Sequence, residues 1–370
     1  YYVNGLEITG RLTRELGPYE AFTVRLELPD GYFYFDTAAH IAKLCAMVGI
    51  PIICLLIVAL IWRRFGKDKK VVKIVEFYPP EGMSSTDVAY WYKGALSNED
   101  MVPLLIELAN EGYIAINESK SSEYYDGADY VIERRKTYNG PDSSKKIFFD
   151  GLFESGKSRI TNEDLENVFY KHLNQIAANY NTMSNRRKVF SNTSLIMRVV
   201  CLALVAASLA ADILIFNRTF GAGERYAAFI AGIVILAAAF ILSFFVRKRT
   251  DQGHQILQKI EGFKLFLETA EKDRLEKLVF DDPKYFYNIL PYAYVLGVSD
   301  AWVKKFEDIA VEPPDWYCGS GTFHTYMMWH FMSSTMHSAA QAMTSAPQTS
   351  SGGGGGFAGG GSGGGGGGSW

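Results

Sequence analysis

The sequence predicts a multi-domain α+β integral membrane protein, and three observations predict it. Three apolar blocks are each long enough to cross a bilayer, a strictly alternating segment precedes the first block, and helix and strand signals fill the stretches between and after them. The average composition hides this segregation. The formal net charge of −3 predicts no general affinity for nucleic acid, since a polyanion binder shows a basic excess or a clustered basic stripe.

Residues 1–36 are expected to be the end of an extracytoplasmic β domain. "FTVRLEL" places Phe22, Val24, Leu26 and Leu28 on one face and Thr23, Arg25 and Glu27 on the other, the period of a half-buried strand. "LEITGRL" precedes it across the turn-forming "ELGPYE", and "LPDGYF" ends it. A lone hairpin is marginal in water. The remaining strands are therefore expected upstream, in a longer chain or one that has lost a leader.

The spans are expected at 44–62, 195–216 and 226–246. The first carries no charge, and its Pro51 is tolerated as a kink in a membrane helix. The third is rich in small residues, and Ala228, Gly232 and Ala239 permit close helix approach, either within the chain or in a homo-oligomer. Basic clusters at 63–70, 186–188 and 247–249 fall on one side only if the N-terminus lies outside. That places 63–188 and everything from Arg247 onward in the cytoplasm. The second span contains Arg198 and Asp212. An intramembrane acid is a functional candidate by its cost; the simpler reading has Asp212, about a turn from the outer surface, reaching the headgroups. Arg198 snorkels outward at the other end.

Residues 63–188 are expected to form a winged-helix-like domain. "SSTDVAYWYKGA" and "SNEDMVPLLIELANEGYIAI" carry two helices, with Ser97 and Asp100 approximating a capping box and Gly112 a stop. "YIAINE" and "YVIERRK" follow as a two-stranded ribbon. The second helix offers Asn98, Glu99, Asp100, Glu107 and Glu111, and acidic residues repel phosphate. A membrane-tethered DNA binder is thus the alternative and a protein-contact module the preferred reading.

"GLFESGKS" matches the P-loop pattern, with Gly151, Gly156, Lys157 and Ser158 in the positions that would cradle phosphates, neutralise charge and hold magnesium. Against a nucleotide-binding role, Thr161 and Asp164 start a fresh helix three residues too late, and Leu152 and Phe153 suit core packing. The segment is expected to be structural. Residues 247–317 read as successive helices, with Ile256, Ile260, Phe263 and Phe266 at helical spacing, Pro283 and Pro291 as punctuation, and Gly297 with Ser299 as stop and restart. Glu268, Glu271 and Asp273 fit a solvated face.

Residues 318–370 lack Lys, Arg, Asp and Glu. They are expected to be a disordered tail, Met/His/Ser-rich and then Gly-rich, closing on Trp370 as a candidate terminal anchor. His324, His330 and His337 are six and seven residues apart and do not make a helical metal pair. Cys45, Cys54, Cys201 and Cys318 show neither zinc-site nor disulfide spacing. No catalytic residue, metal or cofactor is expected.

"EGFKLFLETAEKDRLEKL", "DPKYFYNILPYAYVLGVSDAWVKKFED", "PPDWY" and the terminal glycine run closing on Ser369 and Trp370 resemble the bacterial predicted membrane proteins called domain of unknown function 2207, or YciQ-like. The resemblance covers essentially the whole chain, which would lack most of the family's outer domain. It implies the same order of elements and supplies no activity or catalytic residue. The expected function is a non-enzymatic scaffold or signal-coupling anchor in the bilayer with an unknown protein partner.

Overall fold

The computed structural model describes residues 2–4, 7–9, 14–18, 37–118, 130–219, 223–306, 309, 311–318 and 325–346. The alternating stretch at 22–28, the glycine run and Trp370 lie outside them.

Strands β1 (Tyr2–Asn4) and β2 (Glu7–Thr9) form an antiparallel pair with Val3 opposite Ile8. Helix α1 is Thr37–Ile61, α2 Ser85–Lys93 and α3 Leu104–Asn110, followed by strands β3 (Ile114–Glu118) and β4 (Tyr130–Arg134). Then come α4 (Ser143–Leu152), β5 (Arg159–Ile160), α5 (Asn162–Leu165), α6 (Tyr170–Tyr180) and α7 (Met183–Val189). The long helices α8 (Asn192–Asn217) and α9 (Gly223–Phe244) lead to α10 (Asp251–Thr269), α11 (Lys272–Asp281), α12 (Tyr285–Val295) and α13 (Ser299–Lys304). Strand β6 (Tyr317–Cys318) and α14 (Thr325–Thr344) complete the described elements. The result is a helix-rich α+β chain in two compact units, Tyr1–Ile57 with Leu204–Ala239, and Val58–Ala203 with Phe240–Trp370.

Three helices are long and apolar enough to cross a membrane: α1 with the turn that follows it to Gly66, α8 and α9. Each has one narrow buried stripe. In the first unit the stripe of α1 holds Met47, Pro51 and Cys54, that of α8 Val205 and Asp212, and that of α9 Gly232, Leu236 and Ala239. The spacing of four and then three or seven residues repeats one face of a 3.6-residue helix. Outside these stripes the apolar side chains are exposed, for example Leu56, Leu214, Ile230 and Val234, which is what a hydrocarbon solvent requires. The small-residue face of α9 meets α1 of the same chain at Gly232, where an added Cβ would fall 2.5 Å from the Met47 carbonyl oxygen.

In the second unit one hydrophobic core joins residues that the sequence divides between separate domains. Val88, Leu105, Leu108, Ile116, Phe148 and Leu173 share it with Ile260, Phe263, Tyr285, Trp302 and Phe306. A small sheet of order β5-β4-β3-β6 crosses it, antiparallel except where β3 runs parallel to β6, with Ile116 opposite Tyr317. Helix α2 begins in a complete capping box between Ser84 and Asp87 and stops at Gly94 in the left-handed conformation. The Ser97–Asp100 box is formed too, but it opens a short 3-10 turn, and α3 starts only after Pro103.

Three expectations are corrected. Part of the segment assigned to a disordered tail is α14, whose Met336, Ala339, Ala342 and Met343 are buried in the core; this stripe at helical spacing supplies the apolar area that a disordered segment lacks. Pro291 does not interrupt the chain but sits inside α12, where the carbonyl it deprives is bonded elsewhere. Of the acidic residues read on the second helix, Glu99 and Glu111 are exposed, but Asp100 and Glu107 are buried, as is all of α3 from Leu104 to Ala109.

The segment after α1 runs extended along α10, where Gly262 lies under the Ile74 backbone and Lys73 pairs with Glu261 at 2.8 Å. Phe77 then packs edge-on to Phe266, and Arg274 stacks on its ring at 4.3 Å. A Cβ at Gly262 would overlap the Ile74 carbonyl. We expect Gly262→Val to cost about 3 kcal/mol, at the upper end of overpacking, and to raise amide exchange over 71–78, read as a lower melting temperature and faster deuterium uptake in the solubilised full chain.

Candidate functional site

The residues where the apolar helices meet the core of the second unit form an extensive polar site among the described residues. Phe190, just before α8, makes an antiparallel bridge with Arg249, just after α9. Ser191 N donates to Lys248 O at 2.8 Å, Thr250 N to Val189 O at 3.0 Å, and Ser194 Oγ to Lys248 O at 3.3 Å. Gly66, at the end of the α1 extension, lies against the backbone of Phe245 and Val246. The ends of all three apolar helices thus converge on one point of the second unit.

Arg249 occupies that point. Its guanidinium donates to the Trp91 carbonyl at 2.6 Å and the Tyr92 carbonyl at 2.7 Å, while its backbone N–H donates to Asp68 Oδ1 at 2.6 Å. The side chain is only 9% exposed and lies over the Phe190 ring at 5.5 Å. Trp91 and Tyr92 are in the last turn of α2, whose carbonyls have no intrahelical donor and carry the negative end of the helix dipole. A planar cation with several donors satisfies both carbonyls at once. From sequence Arg249 counts only as one of three basic residues that orient a span; its role as a cap on another helix depends on a fold contact between residues far apart in the chain.

A second polar centre lies inside the core. Lys145 Nζ on α4 pairs with Glu107 at 2.7 Å and Glu111 at 2.5 Å, and the Glu107 carboxylate also accepts from the Ser85 N–H at 2.7 Å. Burial pushes Glu107 above the ordinary carboxylate range against the pull of Lys145 and Ser85. For Lys145 burial alone would lower the ammonium, but the two carboxylates outweigh it and the net shift is upward. Nearby, Tyr180 donates to Asp87 at 2.8 Å and Tyr292 to the Met83 carbonyl at 2.8 Å. This centre fastens α2, α3 and α4 together. Its sequence signal is an acid embedded in an otherwise apolar helix, Leu104 to Ala109, which is a mark of a buried pair rather than a solvated face.

A third arrangement follows from Pro291. The ring removes the N–H that would bond the Tyr287 carbonyl four residues earlier, and Asn110 Nδ2 supplies the missing donor at 2.8 Å. Asn110 Oδ1 in turn accepts from Trp316 Nε1 at 2.8 Å. The cleft beside this chain of bonds, about 200 Å³, is lined by Arg135, Lys284, Asp315 and Glu111 among others. Arg135 and Lys284 both bind Asp315, at its carbonyl and its carboxylate.

The P-loop match takes no strand, loop and helix form. "KIFFD" and Gly151 belong to α4, Gly156 sits in a turn at φ +76, and Ser158 leads into β5. Lys157 is held by Asp164 at 2.5 Å, and the Thr161–Asp164 capping box starts α5. Asp212 is fully buried rather than exposed at a surface, and neither of its carboxylate oxygens has a hydrogen-bond partner. Arg198 lies over the Phe244 ring at 4.9 Å. Trp370 is outside the described residues. Among the described residues no group of three His, Cys, Asp or Glu side chains could hold a metal ion.

Three apolar helices joined to a helix-rich α+β unit define a membrane protein. The family model described as "Predicted membrane protein (DUF2207) C-terminal domain" matches residues 74–306, and the chain belongs to that family, whose function is unknown. Comparison with curated proteins and with solved structures gives no match.

Lys145→Met would strand Glu107 in the core, and we expect a loss of about 3–5 kcal/mol, the usual cost of breaking a buried pair. Because Glu107 is raised in the folded state, its protonated form favours folding. The variant should therefore recover stability as pH falls from neutral toward the ordinary glutamate value, measured by thermal unfolding of the solubilised chain at several pH values. Lys157→Ala, which removes a surface pair with Asp164, should cost less than about 1 kcal/mol in the same assay.

Proposed function

We propose that the chain is a non-enzymatic membrane anchor that transmits a change in its spans to a protein-contact surface on its soluble unit. The observation that carries this reading is the Arg249 junction. The last turn of α2, the segment after α1 and the start of α8 all bond to residues 248–250, which follow the end of α9. All of these residues lie in the second unit, and in this reading a shift of the helix ends found there is passed to α2 through these bonds.

The basic clusters support an arrangement with this unit in the cytoplasm and the N-terminal β segment outside. The order α2, α3, β3, β4 supports a winged-helix-like module. What favours protein over DNA as its partner is the burial of α3 on every side, since a recognition helix has to project into a groove. What favours a structural role for the P-loop-like segment is the pairing of Lys157 with Asp164.

The test places a photo-crosslinking residue at exposed positions of the unit, such as Glu99 or the 86% exposed Phe280, in the full-length chain in its membrane. A discrete protein adduct that persists in Lys157→Ala and weakens in Arg249→Gln is the expected result. Absence of any discrete adduct across these positions, or a nucleotide hydrolysis that Lys157→Ala abolishes, overturns the reading.

A further inference from the structure

Within the first unit one buried acid and one backbone acceptor meet in the apolar part of the spans. Pro51 in α1 has no N–H to give the Met47 carbonyl one turn earlier. On α9, Gly232 leaves room at the same place. The position its Cβ would take lies 2.5 Å from Met47 O, 2.9 Å from Asp212 Oδ2 and 3.4 Å from Pro51 Cγ. The missing side chain of Gly232 therefore lets a carboxyl from α8 and a carbonyl from α1 approach one point. Asp212 is fully buried, and both of its oxygens lack a partner.

The charged and titratable groups on the packed helices are engaged elsewhere. His40 on α1 pairs with Glu224 on α9 at 3.7 Å, Lys43 donates to the Arg218 carbonyl at 3.2 Å, and Arg225 donates to the Thr219 carbonyl at 2.9 Å. Cys45 and Cys54 are the thiols on α1, the first exposed and the second buried. Among the described residues no cation pairs with Asp212. A metal ion would require more oxygens than one carboxyl and one carbonyl, since hard cations take about six or more. A proton requires one acceptor, and the Met47 carbonyl borders the same Gly232 gap as the Asp212 carboxyl.

We propose that Asp212 is a proton-binding site within the membrane, a neutral carboxylic acid that donates its O–H to the Met47 carbonyl freed by Pro51. The soluble unit contains the same device with a neutral donor, for Asn110 bonds the Tyr287 carbonyl freed by Pro291. The difference is that an amide always carries its donor hydrogen, whereas a carboxyl carries one only when protonated. The bond between α1 and α8 is therefore made or lost with a proton.

The test uses the full chain in vesicles of phosphatidylethanolamine and phosphatidylglycerol. Dicyclohexylcarbodiimide adds the O–H of a protonated carboxyl across its C=N bond and stays in the apolar phase, so the adduct on Asp212, read by peptide mass spectrometry, reports the neutral acid. Labelling is expected near neutral pH with this reagent and not with a water-soluble carbodiimide, and it should fall as pH rises. Pro51→Ala returns an N–H to the Met47 carbonyl, and above the labelling midpoint it should lower the adduct about fivefold, the worth of one hydrogen bond. Equal labelling by the water-soluble reagent, no dependence on pH, or protection by added sodium overturns the proposal. Infrared spectra of the wild-type chain with 13C-labelled aspartate need no variant: an acid C=O stretch that shifts with the label supports the proposal, and carboxylate bands alone at neutral pH sink it.

Discussion

The contact on which most of the second unit depends is the one between the Arg249 guanidinium and the last carbonyls of α2. A helix end buried without donors would carry several unsatisfied carbonyls, each worth roughly 1–3 kcal/mol when desolvated. Arg249 removes two of them, and its own charge is matched by Asp68 and by the dipole it caps. The same residue makes the antiparallel bridge to Phe190, in the stretch before α8. The residue that follows α9 thus also caps α2.

Around this junction the chain uses polar groups sparingly and in closed sets. Lys145 answers two glutamates, Asn110 both donates and accepts, and the capping boxes at Ser84, Ser97 and Thr161 each close on an acid three residues later. Such sets specify one arrangement of the helices, because a shift by one turn leaves a buried group unpaired. They also explain how residues far apart in sequence come to share a core: α12 reaches α2 and α3 not only through apolar packing but through Tyr292 to Met83 and Tyr287 to Asn110.

Much of this order was legible in the sequence. The three spans, the two capping boxes at Ser97 and Thr161, the stop at Gly112 and the solvated Glu268, Glu271 and Asp273 all follow from local rules of period, capping and chirality. What escaped was non-local. Whether Glu107 faces water or Lys145 depends on α4, which is remote in sequence. Whether Met336 and Met343 lie free or in a core depends on helices formed more than a hundred residues earlier. The cost of an acid in a span marks Asp212 from sequence, but its burial in a stripe facing Gly232 is set by the partner helix. Pro291 shows the limit most clearly, since a residue that breaks isolated helices is kept where a neighbouring side chain replaces the lost donor.

The two helix prolines also bear on how this sequence is free to change over generations. Replacing Pro291 by an ordinary residue restores a helix bond to Tyr287 O and leaves the Asn110 amide donor redundant; replacing Asn110 first leaves a bare carbonyl. Pro291 is thus tied to Asn110 on another helix, and under the proposal above Pro51 is tied to Asp212 in the same way. Inheritance should treat each pair as a single character, gained and lost together, although no stretch of sequence near either proline announces the bond.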